Sequence, residues 1–203
     1  MNRLLTKLAL AAVAVLALTT CITTAKAQGI YTVQGGRTTV TLSKGFLADL
    51  TTLNIAPTAA YGSQIYLNQV FFPITAGEIN LGNAEGQILH SGGIFLTSAT
   101  KEVRLQSFIL TTTGEQPYIT AIVVANGKLV GRINLFDVEL PSTLTLPLDP
   151  HSGDFFLSGL KLTLDPAGAA ALNDAFGVKT FVDSSYVGYA LSLGFVPLSA
   201  DGK

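Results

Sequence analysis

Most of the chain follows a strand-like alternation of apolar and polar residues. A period of two sends successive side chains to opposite faces of a strand. Turn residues such as Gly, Asn and Pro separate the alternating stretches, which predicts a mainly β fold, an antiparallel β-sandwich of roughly 9–11 strands. The predicted strands are 37–42, 64–72, 77–81, 86–90, 94–97, 102–110, 118–125, 128–136, 155–164 and 186–195, with a further edge strand near 144–146.

Two stretches change to helical spacing. After Ser43, the apolar residues Phe46, Leu47, Leu50 and Leu53 recur every three or four positions, which predicts a helix over 44–54 with Ser43 as its N-cap. The second helix is predicted over 166–176, where Asp165-Pro166 supplies an N-cap and a first-turn proline and Gly177 fits the position after the last turn.

Turn residues define the connections. Asn126-Gly127 predicts a two-residue type I′ hairpin, because both residues tolerate positive φ. Residues 56–63 are predicted to be a loop, and the strand before Pro73 is predicted to end there, because proline cannot donate to a central ladder.

The last predicted strand has two unlike faces. Val187, Tyr189, Leu191, Leu193 and Phe195 alternate with Gly188, Ala190, Ser192 and Gly194. Small residues on one face allow another group to approach closely, so either a packed element of the fold or a flat ligand is expected against them.

The N-terminus has the pattern of a secretory signal peptide. Arg3 and Lys7 precede an apolar run over 8–18, and Ala25-Lys26-Ala27 is a small-x-small cleavage site. Residues 1–27 are therefore predicted to be removed, leaving 28–203 as one secreted domain. Cys21 lies in the removed part, so the mature chain is predicted to be cysteine-free. The alternative is a lipoprotein anchored through Cys21 at the cell surface.

Charge excludes some partners. Residues 28–203 carry nine basic and 13 acidic side chains, a net charge of −4, with no cluster of Lys or Arg. This balance disfavours nucleic acids and anionic membranes as partners. After residue 18, no apolar stretch is long enough to predict a transmembrane helix.

Catalytic motifs are sparse. The sequence has no Gly-x-Ser-x-Gly elbow, no phosphate-binding glycine loop and no His-Glu-x-x-His motif, which favours a non-enzyme without catalytic or metal-ligating residues. Asp137 and Glu139 share a strand face and form an acid/base pair or a solvated strand end. A zinc site would need both His90 and His151, and residues 149–154 form either a calcium loop or a plain turn.

His90 has the most distinctive surroundings of any polar residue. It ends an apolar strand and precedes Ser91-Gly92-Gly93, a sharp corner before the next strand. A histidine in this place either contacts a ligand or is hydrogen-bonded by the backbone of the corner.

Three segments carry motifs that can be compared with a known family. They are Phe-Pro-Ile-Thr-x-Gly-Glu-Ile-Asn at 72–80, Gly-Gln-Ile-Leu-His-Ser-Gly-Gly-Ile at 86–94, and Leu-Thr-Leu-Asp-Pro-Ala-Gly-Ala-Ala-Ala-Leu-Asn at 162–173, followed by Phe181 and Gly188. Together they resemble the HtaA domain of secreted bacterial haem-binding proteins. The resemblance spans most of 37–195. It implies a β-rich sandwich with two short helices and haem as a possible ligand.

The resemblance also implies a site, with one departure. In haem-binding members a tyrosine on the first helix ligates iron, and the corner histidine supports it. Here Phe46 is present, but the matching place, Asp49 or Leu50, holds no tyrosine. His90 itself, Tyr61 or Tyr66 would have to replace the missing ligand. The residues expected to bind a ligand are His90, Phe46, Phe176 and Phe181.

Three functions remain open from the sequence. The first is a secreted module that binds haem or another flat apolar ligand through His90. The second is a surface or scaffold interaction domain without a small-molecule ligand. The third is a secreted hydrolase, which requires two carboxylates in one cleft.

Overall fold

The computed structural model describes residues 29–148 and 153–197. The predicted signal peptide, Cys21, His151 and most of the candidate calcium loop lie outside these residues. Within them the chain is mainly β with two helices, as the sequence predicts. The strands and helices, in chain order, are β1 Ile30–Val33, β2 Gly35–Leu42, α1 Lys44–Thr52, β3 Ala56–Ala60, β4 Gln64–Tyr66, β5 Gln69–Asn80, β6 Gly86–His90, β7 Gly93–Thr97, β8 Glu102–Thr111, β9 Tyr118–Ala125, β10 Lys128–Glu139, β11 Asp154–Leu164, α2 Pro166–Phe176 and β12 Tyr186–Phe195.

The predicted sandwich is wrong, because the sheet closes on itself. Eight strands pair antiparallel in the circular order β5-β2-β12-β11-β10-β9-β8-β6, and β6 pairs with both β5 and β8. A sandwich would leave open edges on two sheets, whereas closure pairs each of these strands on both sides. The alternation of apolar and polar residues is the same in both architectures, so it does not distinguish them.

Four further strands extend the barrel wall. β1 and β4 pair with β5, β7 pairs with β8, and β3 pairs with β7. We call the pair β3 and β7 the arm. It stands beside the barrel end at which the chain leaves β2 for α1.

Both predicted helices are confirmed. The Ser43 side chain accepts a hydrogen bond from the Phe46 amide at α1, and the Asp165 side chain accepts one from the Ala167 amide at α2. Gly177 ends α2 in the left-handed conformation at φ +68°. In the part of the chain that the structure describes, neither helix has the length and hydropathy needed to cross a bilayer.

Two predictions for segments that contain a proline are wrong. The predicted loop over 56–63 contains β3, where Pro57 lies on a strand paired with β7 alone. β5 continues through Pro73 to Asn80. The carbonyl of Pro73 accepts from the Ser91 amide just beyond the end of β6, so the proline nitrogen faces a point where the ladder has ended and no donor is needed.

The type I′ hairpin is confirmed by φ angles of +51° at Asn126 and +78° at Gly127. The edge strand predicted near 144–146 is absent from the described residues, where this stretch is irregular.

The small face of β12 points into the barrel. Gly194 lies directly against the ring of Phe155, and Ser192 is fully buried. On the opposite face Tyr189 and Phe195 are each 48% accessible, whereas Val187 near the start of the strand is buried. Packing within the protein therefore explains Gly194, whose lack of a side chain leaves room for the Phe155 ring.

Candidate functional site

An apolar cavity of about 60 Å³ lies between α1 and the interior of the barrel. Its wall combines barrel strands, both helices and the arm, and Thr38 and His90 are the polar side chains in it. Among the residues that the structure describes, no charged one lines it. The lining residues are Thr38, Val40, Leu42, Phe46, Leu50, Pro57, Phe72, His90, Ile94, Leu96, Leu105, Phe108, Leu110, Ile119, Leu135, Phe136, Leu160, Leu162, Leu172, Val187 and Ala190.

Helix α1 covers this cavity. Phe46 and Leu50 are the two buried residues of the helix, one turn apart, and both line the cavity. The remaining residues of α1 are half-buried or exposed. Thus the apolar stripe that predicts the helix is also the surface that closes the site.

The corner after His90 is held by the turn between β3 and β4. The hydroxyl of Ser63 accepts a hydrogen bond from the Gly93 amide at 2.8 Å. Gly92 adopts φ +88°, and a Cβ at this position would clash with the Ser63 hydroxyl oxygen. The Gly-Gly pair therefore allows the close contact that fixes the end of β6, and with it His90.

His90 belongs to a buried chain of hydrogen bonds across the barrel. Its Nδ1 atom lies 3.3 Å from the Phe108 carbonyl oxygen, and its Nε2 atom lies 2.6 Å from the Thr38 hydroxyl. The Thr38 hydroxyl is in turn 2.8 Å from that of Ser192. Because a carbonyl only accepts, Nδ1 carries the proton and donates it, whereas Nε2 accepts from Thr38 and Thr38 accepts from Ser192.

These surroundings keep the imidazole neutral. Burial lowers the pKa of His90 from 6.5 to about 4, although hydrogen bonds with the backbone of Phe108 and Ile88 raise it. A neutral ring with one donor and one acceptor matches the two partners that the barrel supplies.

The four predicted ligand-binding residues are only partly brought together. His90 and Phe46 line the cavity. Phe181 packs against Phe46 with ring centroids 6.3 Å apart and is held by the Asn173 side chain through both backbone groups. Phe176 is buried at the end of α2. Phe176 and Phe181 thus support the wall and do not line it.

Thr38 and Ser192 are site residues that the sequence reasoning missed. Both side chains face the barrel interior. Thr38 lies on the same face of β2 as Leu42, and Ser192 lies on the same face of β12 as Ala190. A polar residue at an inward position needs a buried partner. The alternation could have identified both residues as partners in a buried network, but not as partners of His90.

The tyrosines considered as substitute iron ligands lie elsewhere. Tyr61 is 56% exposed, packs on Phe95 at 5.7 Å and hydrogen-bonds Arg104. Tyr66 is 67% exposed on β4. Neither residue lines the cavity.

Asp137 and Glu139 line a separate polar cleft, together with Glu85 and Glu115. The Glu139 carboxylate pairs with Lys161 at 2.7 Å, so its charge is compensated. Partial burial and the negative charge of Asp165 raise the pKa of Asp137. Within residues 29–148 and 153–197, no three His, Cys, Asp or Glu side chains form a group that could hold a metal ion.

The residues present do not fit an iron-coordinated haem. Asp49 is exposed on α1 and Leu50 is apolar, so the helix offers the cavity no phenolate. Both nitrogens of His90 are engaged within the protein. The enclosed volume is also well below the roughly 300–1,000 Å³ of ligand pockets.

Comparison with known proteins finds solved structures with a similar fold. No family model and no curated protein matches the sequence. Among solved structures, the C-terminal domain of HtaA from Corynebacterium glutamicum is similar with a TM-score of 0.65 and 15% identity, over 82% of this chain and 99% of that one. The N-terminal domain of the same HtaA gives 0.60 and 14%, over 82% and 99%.

A third similar structure is the heme binding protein HtaB from the same organism, with a TM-score of 0.57 and 8% identity, over 83% of this chain and 96% of that one. At these identities the likeness concerns the arrangement of strands and helices. It agrees with the resemblance seen at 72–80, 86–94 and 162–173. The chain is therefore an HtaA-like domain in its fold.

Proposed function

We propose that this chain is a secreted, non-catalytic binding domain that takes a flat apolar ligand, haem or a molecule of similar shape, beneath α1. The single observation that carries the proposal is the apolar cavity shared by Phe46 and His90. Small-molecule sites combine an apolar wall with a few placed polar groups. The signal-peptide pattern at residues 1–27 and the heme-binding protein among the similar structures support the same function.

Haem or a molecule of similar size is much larger than the enclosed cavity of about 60 Å³, so it enters only if α1 moves. The helix is attached to the barrel end by Phe46 and Leu50, and it follows β2 directly through its cap, Ser43. On its other side Asn54 adopts φ +53° before the chain enters β3. Displacing α1 removes the side chains of Phe46 and Leu50 from the cavity and so enlarges it.

The experiment is a titration with hemin, followed by the Soret band. We expect one hemin per chain and a spectrum that differs from that of free hemin. Ala190 lines the cavity and is 1% exposed, so Ala190→Val fills part of the space and should weaken binding by about tenfold or more. Ala59→Val is the control, because Ala59 is exposed on the arm and does not line the cavity.

A second candidate is an interaction domain that holds no small molecule. The observation in its favour is that the cavity is small and that the polar atoms of His90 are satisfied by Thr38 and Phe108. A hemin spectrum that stays unchanged in the presence of the wild-type chain would favour this second function over the first.

A further inference from the structure

Whether the cavity distinguishes a metal-containing ring from a metal-free one depends on which of its side chains can bond to a metal. Protein ligands of haem iron are His, Tyr, Cys and Met side chains, each through a free lone pair. Of these four residue types, the cavity wall contains only His90 within residues 29–148 and 153–197. The other wall residues are apolar, apart from the hydroxyl of Thr38.

The lone pair on the Nε2 atom of His90 already accepts a hydrogen bond from within the protein. Nε2 accepts from Thr38 at 2.6 Å, and Ser192 holds the Thr38 hydroxyl in place from the next strand at 2.8 Å. Freeing Nε2 would leave the Thr38 hydroxyl without its acceptor inside the barrel, which is unfavourable. The chain of bonds joins β6 to β2 and β12 inside the barrel, so Nε2 is directed at the Thr38 hydroxyl.

The two tyrosines considered as substitute iron ligands do not line the cavity. Tyr61 lies on the turn between β3 and β4, with its ring on Phe95 and its hydroxyl bonded to Arg104. Tyr66 points to solvent from β4. A ligand beneath α1 therefore meets carbon surfaces on almost every side.

We infer that the site recognises the carbon skeleton of a flat ring and forms no bond to a metal, so that metal-free and metal-containing rings are bound alike. Thr38 and Ser192 determine this specificity because together they occupy the one lone pair that could have bound iron. The inference rests on the proposed function, since it names the class of ligand for the same cavity.

The test compares hemin with protoporphyrin IX, which has the same ring and no metal. Both are titrated into the wild-type chain and into His90→Ala, and the ratio of the two dissociation constants is taken for each protein. The inference predicts a ratio within about threefold of one in the wild type. It also predicts the same ratio in His90→Ala, even if that variant binds both rings more weakly.

The titrations distinguish a failure of this inference from a failure of the proposed function. Hemin binding more than about tenfold tighter than protoporphyrin in the wild type, with the preference lost in His90→Ala, would overturn the inference and leave the proposed function standing. Binding of neither ring would overturn the proposed function and the inference with it. If His90→Ala does not fold, the wild-type ratio and the spectrum of its ferric hemin complex still decide, because axial ligation by imidazole changes that spectrum.

Discussion

The Nε2 atom of His90 accepts a hydrogen bond from the Thr38 hydroxyl 52 positions earlier in the chain, across a distance of 2.6 Å. This contact joins β6 to β2, two strands that are not neighbours in the barrel because β5 lies between them. β6, the strand that closes the barrel, is therefore also bonded to β2 by a side-chain hydrogen bond in the barrel interior.

Removal of the Thr38 hydroxyl tests this contact. Thr38→Val keeps the shape of the side chain but leaves both His90 Nε2 and the Ser192 hydroxyl without a partner in the interior. We expect the free energy of unfolding to fall by about 1–3 kcal/mol, measured by urea denaturation. Thr39→Val is the matched control, because Thr39 is only half-buried on the opposite face of β2, and it should change stability by less than about 0.5 kcal/mol. Equal effects of the two variants would contradict the buried network.

Stability should depend on pH through His90. Its pKa is lowered to about 4 in the folded chain, so between pH 6.5 and 4 the unfolded state binds a proton that the folded state does not. Stability due to this group is fully present above pH 6.5 and is lost as the pH falls toward 4. A lowering from 6.5 to about 4 corresponds to roughly 3 kcal/mol.

The pH prediction is checked by the difference between the wild type and His90→Gln, measured by denaturation at several pH values. The difference removes the contributions of the carboxylates, including Asp137, whose raised pKa acts in the opposite sense. A difference that stays constant between pH 4 and 6.5 would show that His90 is not a buried neutral histidine.

The corner after His90 gives a third prediction. Gly92→Ala introduces a methyl group against the Ser63 hydroxyl at φ +88°, whereas Gly62→Ala has a similar φ of +93° and open space around it. Gly62→Ala should therefore cost about 1 kcal/mol from backbone strain alone. Gly92→Ala should cost roughly 2–4 kcal/mol, with the excess due to the lost contact with Ser63. Similar losses in both variants would mean that the corner is not held by Ser63.

The sequence predicts local structure well where one element determines its own pattern. Ser43 and Asp165 identify the starts of both helices, and Asn126-Gly127 identifies its hairpin, because caps and tight turns depend on neighbouring residues only. The closure of the barrel depends on β6 pairing with both β5 and β8. Such pairing is a property of the whole chain, so an alternating pattern fits a sandwich equally well.

In the candidate site, too, the sequence predicts the residues with a local pattern and misses those whose role depends on the whole fold. His90 was identifiable from the Gly-Gly corner and Phe46 from the resemblance to HtaA domains, and both line the cavity. Thr38 and Ser192 were not, because their role arises only when β2 and β12 are brought beside His90. Phe176 and Phe181 have the right residue type for a ligand wall, but helix packing uses them instead.

The location of the ligand is the claim on which the rest depends. It is tested most directly by ¹H–¹⁵N correlation spectra of the wild-type chain during titration with diamagnetic protoporphyrin IX. We expect saturable shifts of the amides of α1 and of the cavity wall around Phe46 and His90, with little change around the polar cleft of Asp137 and Glu139. Spectra that do not change, or shifts centred on that cleft, would contradict it.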